Sequence, residues 1–153
     1  MIASYFLPCL WAFLGCVGFA VIYNTRDLQI IWDALGGALG WFFYLILLYL
    51  SGSDLIASFA GAVAVGVFSE IMARVMRRTV TSFLLIGIFP MVPGAGIYYT
   101  MRYCVLGDTA NFIATGVHTL GVAGALAIGI FVVASTWRLI RAGKRKLPVN
   151  LRR

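Results

Sequence analysis

The stretch Phe89-Pro90-Met91-Val92-Pro93-Gly94-Ala95-Gly96-Ile97-Tyr98-Tyr99-Thr100-Met101 decides how this chain is read. It is apolar enough to lie in a bilayer, yet it holds two prolines three residues apart and two glycines. Each proline removes a helical N–H donor, and the glycines allow backbone angles that other residues resist. A single proline in a span is a kink. Pro-x-x-Pro-Gly-x-Gly is a break. Unpaired backbone at membrane depth is tolerated only where protein or a water-filled cavity satisfies it.

The flanking sequence places the break inside a membrane protein. Of 153 residues, 62% are hydrophobic and 11% charged, with a mean hydropathy of +0.98. An average soluble domain is about 45–50% apolar and about 25% charged. Apolar runs of about 18 residues or more, each able to cross the roughly 30 Å hydrocarbon layer, recur along the chain. The sequence therefore predicts an all-α, polytopic protein with a single transmembrane domain over 1–153 and five spans, at about 2–23, 30–50, 55–76, 83–101 and 112–137. The fourth is broken at Pro-x-x-Pro-Gly. A basic tail, Arg138–Arg153, follows. Met1–Leu14 carries no positive leading region and its apolar run continues to about Tyr23, so it reads as a span rather than a signal peptide.

The net charge of +7 sorts by topology instead of forming a nucleic-acid face. With the N-terminus outside, Arg26, Arg74, Arg77, Arg78, Arg138, Arg141, Lys144, Arg145, Lys146, Arg152 and Arg153 fall inside, and only Arg102 falls outside. Such a bias sets orientation: N-terminus out, C-terminus cytoplasmic. The tail reads first as an anchor on anionic headgroups. Asp54 and Asp108 open spans three and five, and Asp27 and Asp33 lie at the start of span two, where each can cap a helix. Glu70 has no such explanation. Cys9, Cys16 and Cys104 make an odd set with no Cys-x-x-Cys, and read as free thiols.

Small residues four apart, Gly36/Gly40, Ala57/Gly61, Ala62/Gly66 and Ala125/Gly129, allow close helix approach. They suit packing within the bundle and contacts with other chains, a second copy of this one among them.

The break also carries chemistry. Pro93 suits the first position of a new half-helix, leaving the N–H groups of Gly94, Ala95 and Gly96 at its positive end, where a carboxylate binds readily. Pro90, Pro93, Gly94, Ala95 and Gly96 are the candidate substrate-binding residues, with Tyr98, Tyr99 and Thr100 as polar lining. Glu70 lies about six residues, roughly 9 Å, from the inner end of span three, with Arg74 at i+4. The pair reads as a structural ion pair or as an inner gate and proton acceptor. His118, the single histidine, falls on one stripe with Asn111 and Thr115 and is a third candidate for gating or coupling. No spaced catalytic set, metal cluster or phosphate loop is present in the sequence, so neither an enzyme nor a cofactor is expected.

Ser69-Glu70-Ile71-Met72-Ala73-Arg74, the pair Arg77–Arg78 and Gly87-Ile88-Phe89-Pro90-Met91-Val92-Pro93-Gly94-Ala95-Gly96-Ile97-Tyr98-Tyr99-Thr100-Met101 together carry a family pattern, "AE..AR", a basic pair and "PLVPG..IYYTM". In these, and over its whole length, the chain resembles the short YjjB-type subunit of the threonine/serine exporter (ThrE-like) superfamily. Met91, Ala95 and Thr79 differ from the residues common there, while the Pro-Gly core is intact. The resemblance implies a two-component secondary exporter in the bacterial cytoplasmic (inner) membrane, completed by a larger membrane subunit. It also implies small carboxylates as substrates, either threonine and serine or succinate-like dicarboxylates, moved in exchange for protons. The rival expectation is a scaffold subunit that does not itself transport, its break serving only to dock the partner.

Overall fold

A computed structural model describes residues 2–25 and 28–145, with side-chain surroundings for 6–25 and 28–142. Arg26, Asp27 and residues 146–153, including their expected roles as cap and anchor, lie outside the described residues. Six α-helices follow one another: α1 (Ile2–Ile22), α2 (Gln29–Ser51), α3 (Asp54–Val75), α4 (Val80–Ile88), α5 (Gly94–Val105) and α6 (Thr109–Arg145), with a 3₁₀ turn at Phe89–Met91 between α4 and α5. Three helices, α2, α3 and α6, are long and apolar enough to cross a bilayer. The count is four if α4 and α5, bent by 53° across the turn, form one span. In α1 the described apolar stretch, Phe6–Ile22, is shorter.

Two differences from the sequence reading have local causes. Helix α4 begins at Val80 and α5 runs to Val105, because no residue at either end breaks a helix before the arginine pair or Gly107. The first part of the basic tail is helical: α6 continues to Arg145, since all residues of this part but Gly143 are able helix formers. Gly52 (φ +65°) and Gly107 (φ +72°) close the α2–α3 and α5–α6 turns in the left-handed region that glycine enters at little cost.

Glycines set the packing. A Cβ on Gly61 would lie 2.9 Å from the Gly40 carbonyl oxygen, so α2 and α3 cross backbone to backbone. One on Gly129 would lie 2.8 Å from the Ala62 Cβ and 2.9 Å from the Phe59 carbonyl oxygen, closing α3 on α6. Ala62, Val65, Met91, Val122 and Leu126 form the central cluster, with Met91 supplied by the 3₁₀ turn itself. A second cluster, Cys16, Ala20, Ala34 and Ile86, ties α1 and α4 to α2. The small-residue pairs thus serve packing inside the bundle. Gly129→Val should destabilise by about 1–3 kcal/mol through overpacking against rigid backbone, read as a lower thermal midpoint of the detergent-solubilised protein. An unchanged midpoint would show that α6 can slide off α3 freely.

Polar groups collect at the two ends. At one end Gln29 of α2 donates to the Ser82 hydroxyl of α4, and Arg141 of α6 reaches Glu70 of α3. Among the described residues Arg74, Arg77, Arg78, Arg138 and Arg141 all belong to this end. At the other end Asp54 opens α3 beside Tyr44 and His118. Large apolar side chains such as Phe6, Trp11, Leu50 and Phe131 face outward, as hydrocarbon surroundings permit.

Candidate functional site

The interruption at 89–93 shapes a cavity of about 340 Å³ near the Asp54 end of the bundle. Residues 90–96 form one wall. Trp41 and Tyr44 of α2, Asp54 and Ser58 of α3, and His118, Thr119 and Val122 of α6 form the others. A larger groove of about 860 Å³ between α1 and α2 is lined by side chains such as Phe6, Leu10, Phe13 and Phe42 and has almost no polar surface for a charged ligand. The smaller cavity is therefore the candidate site.

Its wall is built by the break. Pro93 is the N-cap of α5, not its first residue, and the Gly94 N–H is taken by the Val92 carbonyl at 2.7 Å. The free donors of the first turn are consequently those of Ala95 and Gly96, one fewer than expected. Gly96 must be a glycine here, because any Cβ would collide with the Thr119 side chain of α6. The indole N–H of Trp41, stacked on Tyr44 at 5.0 Å, is buried without a hydrogen-bond partner. The donors open to an anion are thus the backbone N–H groups of the first turn of α5.

Facing them is an acid that the sequence reading placed as a cap. Ser53, not Asp54, holds the N-cap position of α3, and no side-chain cap bond forms. The Asp54 carboxylate instead accepts the Tyr44 hydroxyl at 2.6 Å and lies 3.5 Å from His118 Nε2. The pairing joins residues 64 positions apart across α3 and α6, so helical spacing could not reveal it. The sequence points to His118 as a polar candidate and to Asp54 only as a helix-opening acid, and it does not single out Trp41, Tyr44 or Ser58. The one signal available was a tryptophan and a tyrosine three apart in the middle of span two, on one helix face.

Other expected positions fall elsewhere. Tyr98 and Tyr99 are exposed, at 64% and 45%, and with Thr100 lie outside the cavity lining. Thr100 spends its hydroxyl on the Gly96 carbonyl. None of the residues of α5 is buried, because this amphipathic helix leans only on α6. Asn111, on the same helix as His118, is spent at the helix start. Its side chain and backbone both donate to Asp108, which caps α6 as expected. Those bonds hold the Asp108 carboxyl below its ordinary range. Thr115 lends its carbonyl to the Thr119 hydroxyl. Cys16 is buried and its thiol donates to the Ile86 carbonyl, whereas Cys104 is exposed.

Glu70 and Arg74 do meet, at 2.7 Å, at the opposite end of the bundle from the cavity. Arg141 adds a second guanidinium at 3.0 Å, so Glu70 ties α3 to α6. Arg74 also donates to the Glu70 backbone carbonyl, and its guanidinium lies over the Trp137 ring at 4.3 Å from the centroid. A residue of the basic tail therefore joins the expected pair as a third member. Among the described residues no group of acids, histidines and cysteines could hold a metal ion.

Long apolar helices packed around a cavity at a helix interruption are those of a multi-pass membrane protein. The chain belongs to the family described as Threonine/Serine exporter, ThrE, whose family model matches residues 8–136. Neither the curated proteins nor the solved structures contain a match to it.

Proposed function

We propose that the chain is the short membrane subunit of a two-component exporter that carries a small hydroxy amino acid, threonine or serine, out of a bacterium across the inner membrane in exchange for protons. The observation that carries this reading is the opposition of charges in the 340 Å³ cavity. The N–H groups of Ala95 and Gly96 suit a carboxylate. Asp54 across the cavity suits an ammonium. A zwitterion satisfies both walls, whereas a dicarboxylate brings a second anion toward Asp54, which disfavours the succinate-like substrate.

Proton exchange has a physical route here. His118 lies 3.5 Å from the carboxylate proposed to hold the substrate ammonium, so a proton-exchanging side chain sits beside the substrate's charge. In this reading α1, α2, α3, the bent α4–α5 pair and α6 make five spans. The 53° bend leaves α5 progressing outward, and the arginine-rich end is cytoplasmic. The larger subunit is proposed to cover α5, whose exposed Tyr98 and Tyr99 hydroxyls suit a protein surface better than lipid chains.

The test is efflux of radiolabelled threonine and succinate from cells expressing both subunits. Threonine efflux is expected to exceed succinate efflux, and Asp54→Asn should lower the former about tenfold or more, the loss of roughly one charged hydrogen bond. Equal succinate efflux, untouched by Asp54→Asn, would remove the amino-acid reading. No efflux of either, with the complex intact and wild-type, would leave the scaffold role.

A further inference from the structure

Among the described residues two acids are buried, Asp33 and Glu70, and their surroundings are opposite. Glu70 is held by two guanidiniums. Asp33 is 0% exposed, and neither of its carboxylate oxygens has a hydrogen-bond partner. It lies in the second turn of α2, too deep to cap that helix, which corrects its reading as a cap.

The groups around it are few. From α1 the titratable neighbour is Cys16, whose thiol is already committed to the Ile86 carbonyl. Helix α4, Val80–Ile88, offers no titratable side chain. On α3, Phe68 abuts Gly36, which sets Ser69 at the depth of Asp33, and the Ser69 hydroxyl is likewise buried without a partner. The charged residues of α3 near this depth, Glu70 and Arg74, turn to α6 instead. One turn outward along α2 the Gln29 side-chain amide is the polar neighbour of the Asp33 carboxyl, but its hydrogen bond goes to Ser82 at 2.7 Å and leaves both Asp33 oxygens without a bonded donor. Gln29 and Ser82 line a polar crevice of about 650 Å³ with Asn24, Arg77 and Arg78, at the end of the bundle opposite His118.

We propose that Asp33 is the proton-carrying carboxyl of this protein: it binds a proton in this conformation and releases it to water in the crevice when the Gln29–Ser82 bridge opens. An ionised carboxylate without a donor is costly to bury, and an added proton removes that cost. A membrane-embedded acid without a partner marks a proton path more often than packing. In the release step the carboxyl O–H bond breaks, the proton passes to water, and the carboxylate left behind faces the opened crevice. A metal cation is less well served, since Ser69 is the one further oxygen without a partner at this depth among the described residues.

The first test is infrared difference spectroscopy of the purified full chain in lipid across a pH titration, which needs no substrate. Asp33→Asn, which is isosteric, is expected to remove one protonated-carboxyl carbonyl band from the wild-type spectrum and leave the bands of the other acids. No band lost in Asp33→Asn at any pH overturns the proposal. The second test rests on the exporter reading above and uses the complete two-subunit complex in proteoliposomes. Asp33→Asn should keep threonine–threonine exchange, which moves no net proton, at wild-type rate and lose proton-driven net export at least tenfold. Loss of exchange as well, or undiminished net export, overturns it. If the wild-type complex moves no threonine, the exporter reading fails while the infrared result still decides the role of Asp33.

Discussion

Cells carrying Pro93→Ala together with Gly94→Ala are expected to export threonine at least about 100-fold more slowly than wild type, with the chain still folded and in complex. Loss of one preorganised N–H donor from a charge-binding site costs roughly 10²–10³ in rate, and this double variant disturbs two. Alanine at 93 restores a helical N–H and removes the fixed proline φ, so the 3₁₀ turn at Phe89–Met91 can run on into α5. The Ala95 and Gly96 donors then bond within a continuous helix, and the cavity wall straightens. At Gly94 the added Cβ meets nothing within 4 Å, and co-purification with the larger subunit reports whether the core around Met91 survives the change at Pro93. The check is radiolabelled efflux beside co-purification with the larger subunit. Wild-type efflux from an intact complex would remove the break from the substrate path.

The second large effect is expected at the other end. Glu70→Gln should slow export about tenfold while leaving its pH profile unchanged. The Glu70 carboxylate accepts from Arg74 and from Arg141 at once, and a hydrogen bond to a charged group contributes about 1.5–3 kcal/mol. Glutamine keeps the shape and loses the charge that draws both guanidiniums in. Arg74 and Arg141 are 39% and 57% exposed in their side chains, so water and headgroups offset part of the loss and the chain still folds. What weakens is the tie between α3 and α6, which we take as the inner closure. The pH profile separates this role from proton carriage: a flattened profile in Glu70→Gln would move the coupling role to Glu70 and away from Asp33 and His118.

The two predictions draw on different kinds of knowledge. Pro90, Pro93, Gly94 and Gly96 could be singled out from the sequence because proline and glycine act on their own backbone, with no distant partner needed. The same holds for the apolar helices, for Asp108 capping the helix it precedes, and for the Glu70–Arg74 pair at i+4. Each is a local rule of helix geometry and hydrophobicity, complete within a turn or two of chain.

Tertiary structure decided the rest. Asp54 looked like a cap because it begins a helix, but its carboxylate is claimed by Tyr44 and His118. Arg141 looked like part of an anchor, but α6 is long enough to carry it back to Glu70. Asp33 looked like another cap, and became significant only because α1, α3 and α4 close over it without offering a donor. Tyr98 and Tyr99 looked like lining, and the lean of α5 on α6 alone turned them away from the cavity. The sequence by itself determined that this is a helical membrane protein with a break worth inspecting. Which charges face one another across that break, and which acid is left without a partner, depended on helices dozens of residues apart packing through bare glycine contacts.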